Sequence, residues 1–172
     1  MRETTRSTAL LILAAIPCAA SADVPPIDQR FTPATVTESP DFRRHVVPLL
    51  GRLGCNARAC HGSFQGQGGF RLSLFGYDFK ADHANLTEGD EPRTNPAAPD
   101  SSLMLAKALE DVAHEGGRRF DRGSWQHRVL LEWIAHGASP VAADAAAFER
   151  LEVEPREILA GRAGETTRLK AV

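Results

Sequence analysis

Apolar residues recur at helical spacing in three places along this chain. Phe42, Val46, Leu49 and Leu53 follow one another at steps of four, three and four, which lines a single helical face. Ser39-Pro40-Asp41 just ahead supplies a cap, a proline suited to the first helical position and an acid for the first turn. A helix is therefore expected from Ser39 to Gly54, with Pro48 kinking it or loosening its last turn. The second place is short: Asp100 or Ser101 caps a helix containing Leu103, Met104, Leu105 and Leu109. The third runs from the Ser124 cap to Gly137 and places Trp125, Val129, Leu130, Trp133 and Ile134 on one side.

Between these helices the pattern changes. Phe70, Leu72 and Leu74 alternate with Arg71 and Ser73, as expected of an extended run with one buried face. Residues 62–69 are glycine-rich and read as a flexible loop. No Gly-Lys-Ser/Thr follows, so a phosphate-binding reading finds no support there. Residues 87–100 are polar and punctuated by prolines, a second loop.

The flanks differ in character. Residues 1–22 read as an export signal: Arg2 and Arg6, an apolar run from Leu10 to Ala20, and the small residues Ala20-Ser21-Ala22 before Asp23. The apolar run is too short to span a bilayer, so no membrane span is expected once the signal is removed. Residues 23–40 are a Pro-, Thr- and acid-rich linker, and 139–149 an Ala-rich one. From 150 to 172, Leu151, Val153, Ile158, Leu159, Leu169 and Val172 fall in short runs broken by Pro155 and by the stretch from Gly161 to Gly164. These resemble the opening strands of a β module whose remainder is missing, and two strands do not stand alone.

Composition narrows the functional classes. The 172 residues suffice for one domain with tails, and a net charge of −2 gives no basic field for nucleic acid or an anionic membrane. Aromatics make up 6% of the chain, against 14 glycines and 11 prolines. A small core joined by irregular connections follows, and a large buried cofactor would relieve it.

The chemistry centres on Gly54-Cys55-Asn56-Ala57-Arg58-Ala59-Cys60-His61-Gly62. If Cys18 leaves with the signal, Cys55 and Cys60 are the cysteines of the exported chain. Three chemistries remain open on these residues alone. Export favours a disulfide between them. A zinc site needs further ligands, and no second cysteine pair supplies them. Covalent c-type haem accounts for the histidine directly after the second cysteine, with each thiol taking one haem vinyl and His61 binding iron. The usual haem motif has two residues between the cysteines, whereas this chain has four.

Several blocks together resemble a known family. The run from Asp41 to Pro48, the Cys55–Cys60–His61 motif, the stretch from Gly69 to Asp78, Asn95-Pro96 to Leu105, and Trp133-Ile134 with Gly137-Ala138 are similar to the cytochrome c-like domain of secreted planctomycete-type multidomain proteins. The resemblance covers residues 41–138, and the wider cysteine spacing is usual in that family. It implies a mainly α, small cytochrome c-like fold with short extended segments, holding one covalent haem c. The first and last helices would pack together, with the haem filling the core between them. Larger members often continue into a bacterial Ig-like domain, which residues 150–172 resemble the start of.

For the sixth iron ligand the resemblance points to His114, beside Gly116-Gly117, with Met104 as the alternative. Met104 otherwise reads as helix packing among leucines. His83 is expected in a solvated loop, and His45, His127 and His136 on the surface. Arg118 and Arg119 are candidates to pair with haem propionates. Two imidazoles on iron would give a lower potential than His/Met and would leave no open position, which suits electron transfer rather than catalysis. The expected setting is the periplasm or cell envelope, with redox proteins or downstream domains as partners. The rivals are a haem-free surface binding module stapled by Cys55–Cys60, and a haem sensor or catalyst with an open iron position.

Overall fold

The computed structural model describes residues 25–32, 38–140, 152–159 and 161–171. The signal segment with Cys18, part of the 23–40 linker and most of the 139–149 linker lie outside the described residues. The protein is mainly helical: α1 (Ile27–Arg30), α2 (Val47–Arg52), α3 (Phe79–Thr87), α4 (Leu103–Leu109) and α5 (Trp125–Ala135). Among the described residues no helix is long and apolar enough to cross a membrane.

The first predicted helix is present, but its opening differs. Asp41, not Ser39, is the cap: its carboxylate accepts the Arg44 N–H at 2.7 Å. Residues Phe42–Val46 form one widened π turn, closed by Val46 N–H to the Asp41 carbonyl and Val47 N–H to the Phe42 carbonyl. Pro48 then falls in the first turn of α2, where a missing N–H leaves no bond unmade. At the far end Gly54, at φ +77°, reverses the chain. Cys55 N–H reaches back to the Leu50 carbonyl at 2.9 Å and Gly54 N–H to Gly51 at 3.1 Å, the paired bonds of a Schellman ending.

The core lies between this helix and α5. Phe42, Val46, Leu49, Leu50, Val129 and Leu130 are buried, as are Trp133 and Ile134. Each such side chain contributes about 1.5–3 kcal/mol of burial. The Phe42 and Trp133 rings sit 5.3 Å apart, and the Trp133 indole N–H donates to the Ser139 carbonyl at 2.9 Å. The first and last helices thus pack directly, as expected. Side chains fill the space between them, where the haem was expected.

Several expectations fail for identifiable reasons. The 23–40 linker is not wholly extended, because α1 delivers a fully buried Phe31 edge-on to His45, 5.5 Å away. His45 is buried in turn, its Nδ1 accepting the Asp41 N–H at 2.9 Å. His127 is also buried, under the start of α5, where its Nδ1 accepts the Gly123 N–H. Of the three histidines expected on the surface, His136 alone is exposed. His83 stands on α3, which the apolar pattern does not reveal because Leu86 is its one buried apolar residue. Its Nε2 bonds the Ala138 carbonyl at 2.7 Å, and its ring packs on Phe42 and Trp133.

The extended run at 70–74 also breaks early. Leu72 is buried, but Ser73 turns inward and Leu74–Gly76 forms a 3₁₀ turn. The buried Asp82 of α3 causes this, accepting both the backbone N–H and the hydroxyl of Ser73. The α4 helix starts after Ser102, later than the expected Asp100 or Ser101, with no side-chain cap because the Ser102 hydroxyl accepts the Asn95 N–H instead, while α5 is capped by Ser124 as expected. At the C-terminal end the described residues hold one antiparallel ladder, β1 (Val153–Glu154) with β2 (Lys170–Ala171). Ile158, Leu159 and Leu169 beside it stay exposed.

Candidate functional site

The ending of α2 feeds the chain straight into the cysteine motif, and backbone bonds fold that motif into a compact loop. Ala57 N–H donates to Gly54, Cys60 N–H to Ala57, His61 N–H to Cys55 and Gly62 N–H to Ala57. Gly62 is required at the close of the loop, since a Cβ there would lie 2.0 Å from the Asn56 carbonyl oxygen. The loop is also laced to the following segment: Leu72 N–H donates to the His61 carbonyl at 2.8 Å and Phe75 N–H to Asn56 at 3.1 Å. Backbone hydrogen bonds, more than apolar packing, set the positions of these residues.

Cys55 and Cys60 are half-buried free thiols. Burial pushes the Cys55 thiol up to about 11, while the Arg119 guanidinium acts in the opposite direction. His61 is half-buried, packed edge-on against Phe70 at 4.9 Å. Its Nδ1 lies 3.0 Å from the Phe70 carbonyl oxygen. A carbonyl only accepts, so Nδ1 carries the hydrogen and the lone pair of the neutral ring is on Nε2. Burial holds the His61 pKa below its ordinary value, which favours that neutral form.

His114 is brought to the same place from the other side of the sequence. Its Nδ1 lies 3.0 Å from the Gly117 carbonyl oxygen, so its lone pair too is on Nε2. The two imidazoles are nearly parallel, 9° between planes, with ring centres 6.5 Å apart. A metal–imidazole bond of about 2 Å on each side, with roughly 1 Å more from each nitrogen to its ring centre, gives a separation of about 6 Å. The observed 6.5 Å separation is close to that span. Each ring also shows the outer bond, Nδ1–H to a backbone carbonyl, that orients ligating histidines.

Met104 is not part of this arrangement; it packs against the core from α4. Arg119 is half-buried with one guanidinium nitrogen 3.9 Å from the Cys60 sulfur, whereas Arg118 is exposed and pairs with Asp121. Among the described residues no group of three or more His, Cys, Asp and Glu side chains is placed to hold a metal ion. A separate cavity of about 500 Å³, lined by Thr87, Thr94, Asn95, Ser101, Leu103 and Ala138 among others, touches neither the cysteines nor the histidine pair.

The sequence pattern did not reveal Asn56. Its side chain is fully buried between Gly51 and Gly76, and neither amide atom has a hydrogen-bond partner. Nor did it reveal the carbonyls of Phe70 and Gly117 that fix both imidazoles, because any residue type can supply a carbonyl. No family model matches the chain, and no curated protein or solved structure shows significant similarity to it.

Proposed function

We propose that residues 41–138 form a c-type cytochrome domain of an exported protein, carrying single electrons on one haem bound covalently through Cys55 and Cys60. The observation that carries this reading is the pair of parallel imidazoles 6.5 Å apart, one of them directly after two free thiols. The haem supplies an iron couple that takes up and releases one electron.

The chain's own residues do the rest. Cys55 and Cys60 would hold the haem, each thiol adding its S–H across one vinyl group, sulfur to one carbon and hydrogen to the other, so that attachment would consume no oxidant. Reduced thiols are required for this step, and both cysteines are free. His61 and His114 present their Nε2 lone pairs, with ring orientation and tautomer set by the Phe70 and Gly117 carbonyls. With His61 and His114 both holding the iron, oxygen or peroxide would find no place to bind, which would favour electron carriage over catalysis. A bis-imidazole pair also favours ferric iron and a low potential compared with His/Met ligation.

The electron would pass to redox proteins or to domains downstream, and the ladder of β1 and β2 reads as the opening of such an Ig-like module. The test is a visible spectrum of protein matured with a haem-attachment system, recorded after denaturation has stripped non-covalent haem. Sharp reduced bands that survive denaturation, and are lost in Cys55→Ser/Cys60→Ser, are expected. A colourless wild-type protein would overturn the reading.

A further inference from the structure

The loop that carries His114 is held in place by few bonds. His114 and Gly117 bond each other, with Gly117 N–H donating to the His114 carbonyl at 2.8 Å. Arg119 N–H ties the loop's end to the Ala108 carbonyl of α4 at 2.7 Å. None of these bonds reaches the cysteine motif. The Arg119 side chain does. One guanidinium nitrogen is 3.4 Å from the Leu53 carbonyl oxygen, at the end of α2, and the other is 3.9 Å from the Cys60 sulfur.

Gly116 marks where these groups converge. A Cβ at that position would lie 2.8 Å from Arg119 Nη2, 2.8 Å from His114 Cε1 and 3.1 Å from His114 Nε2. The guanidinium and the lone-pair edge of the imidazole therefore share one small space that only glycine leaves open. A planar guanidinium with donors in a fixed fork can serve two acceptors at once, which a lysine ammonium does poorly. The Arg119 guanidinium thus stands beside the Cys60 thiol.

We propose that Arg119 is a positioning residue for the sixth ligand: it clasps the 114–119 loop to the cysteine motif and so keeps His114 at ligating distance from His61's metal. The inference rests on the haem reading above. Without the clasp, the Gly116-Gly117 pair lets His114 swing off, and the iron opens to external ligands. The apparent affinity for such a ligand rises in proportion to the fraction of open iron.

The test uses the full chain matured with haem, as wild type, His114→Ala, Arg119→Leu, Arg119→Lys and Gly116→Ala. Carbon monoxide titration of the reduced protein reports the open position, and electron paramagnetic resonance of the oxidised protein reports spin state. Wild type should be low-spin and nearly inert to carbon monoxide, and His114→Ala should bind it fully. Arg119→Leu should bind about tenfold more tightly than wild type and show a high-spin signal, with Arg119→Lys between the two. Gly116→Ala should shift in the same direction by pushing into the contact. If Arg119→Leu does not fold, the lysine and alanine variants carry the same comparison.

Low-spin, inert arginine and glycine variants beside a reactive His114→Ala would overturn the positioning role and leave the haem reading intact. An inert His114→Ala would overturn it by removing His114 as the ligand. A wild type without covalent haem would instead defeat the underlying reading.

Discussion

Two regions of this molecule are held by different physics. Between the first helix and α5, Phe42, Val46, Leu130, Trp133 and Ile134 are buried in one apolar cluster, and little depends on any single hydrogen bond. Around the cysteines and the two histidines, position is set by backbone bonds, by glycines that leave room and by one arginine. The helical core tolerates local change but depends on volume. The site depends on close approaches that a single added methyl group would block. A chain with few aromatics can thus build a packed helical scaffold and place its glycines where a tightly hydrogen-bonded loop needs room.

The contrast can be broken from either side. Trp133→Ala should have the largest effect, costing about 3–5 kcal/mol of global stability, read as a fall in the denaturation midpoint. Gly62→Ala should cost less overall, about 1–3 kcal/mol, because its Cβ meets the Asn56 carbonyl oxygen at 2.0 Å. Its loss should be local: covalent haem loading falls sharply while far-ultraviolet circular dichroism stays helical. A Gly62→Ala protein that loads haem as wild type does would show the cradle to be less constrained than its geometry indicates.

These two sites also show what the sequence disclosed. Helical spacing exposed the Phe42–Leu53 and Trp125–Ile134 faces because those helices bury one side each. The Cys55–Cys60–His61 motif was legible for a different reason, namely that its residue types are rare. By contrast α3 gave no periodic signal: what holds it is the buried Asp82–Ser73 pair and His83's bond to Ala138, which are polar contacts between distant residues. His45 and His127 were misplaced on the surface for the same reason, since each is buried against a backbone N–H that a linear pattern does not show. The parallel setting of His61 and His114 depends on two carbonyls and is visible only in three dimensions.

Smaller effects sharpen the comparison. Ser124→Ala removes the hydroxyl that accepts the His127 N–H and should lower stability by about 1 kcal/mol without changing the haem spectrum. Acid should act on the core side too. Burial lowers the pKa of both His45 and His127 from the ordinary value of about 6.5. The unfolded chain then binds more protons in that window, so stability is full above about pH 6.5 and is lost as pH falls through the folded-state values. Urea midpoints measured from pH 7.5 downward should decline over this range, and His127→Phe should flatten part of the slope. A midpoint that rises on acidification would contradict the burial of both rings.

The most direct test of the proposed haem attachment is the intact mass of protein matured with a haem-attachment system, denatured and under conditions that preserve disulfides. Mature chain plus one haem, with two free thiols fewer available to alkylation, is the expected result. A mass two hydrogens below that of the reduced chain, with Cys55 joined to Cys60, would contradict it.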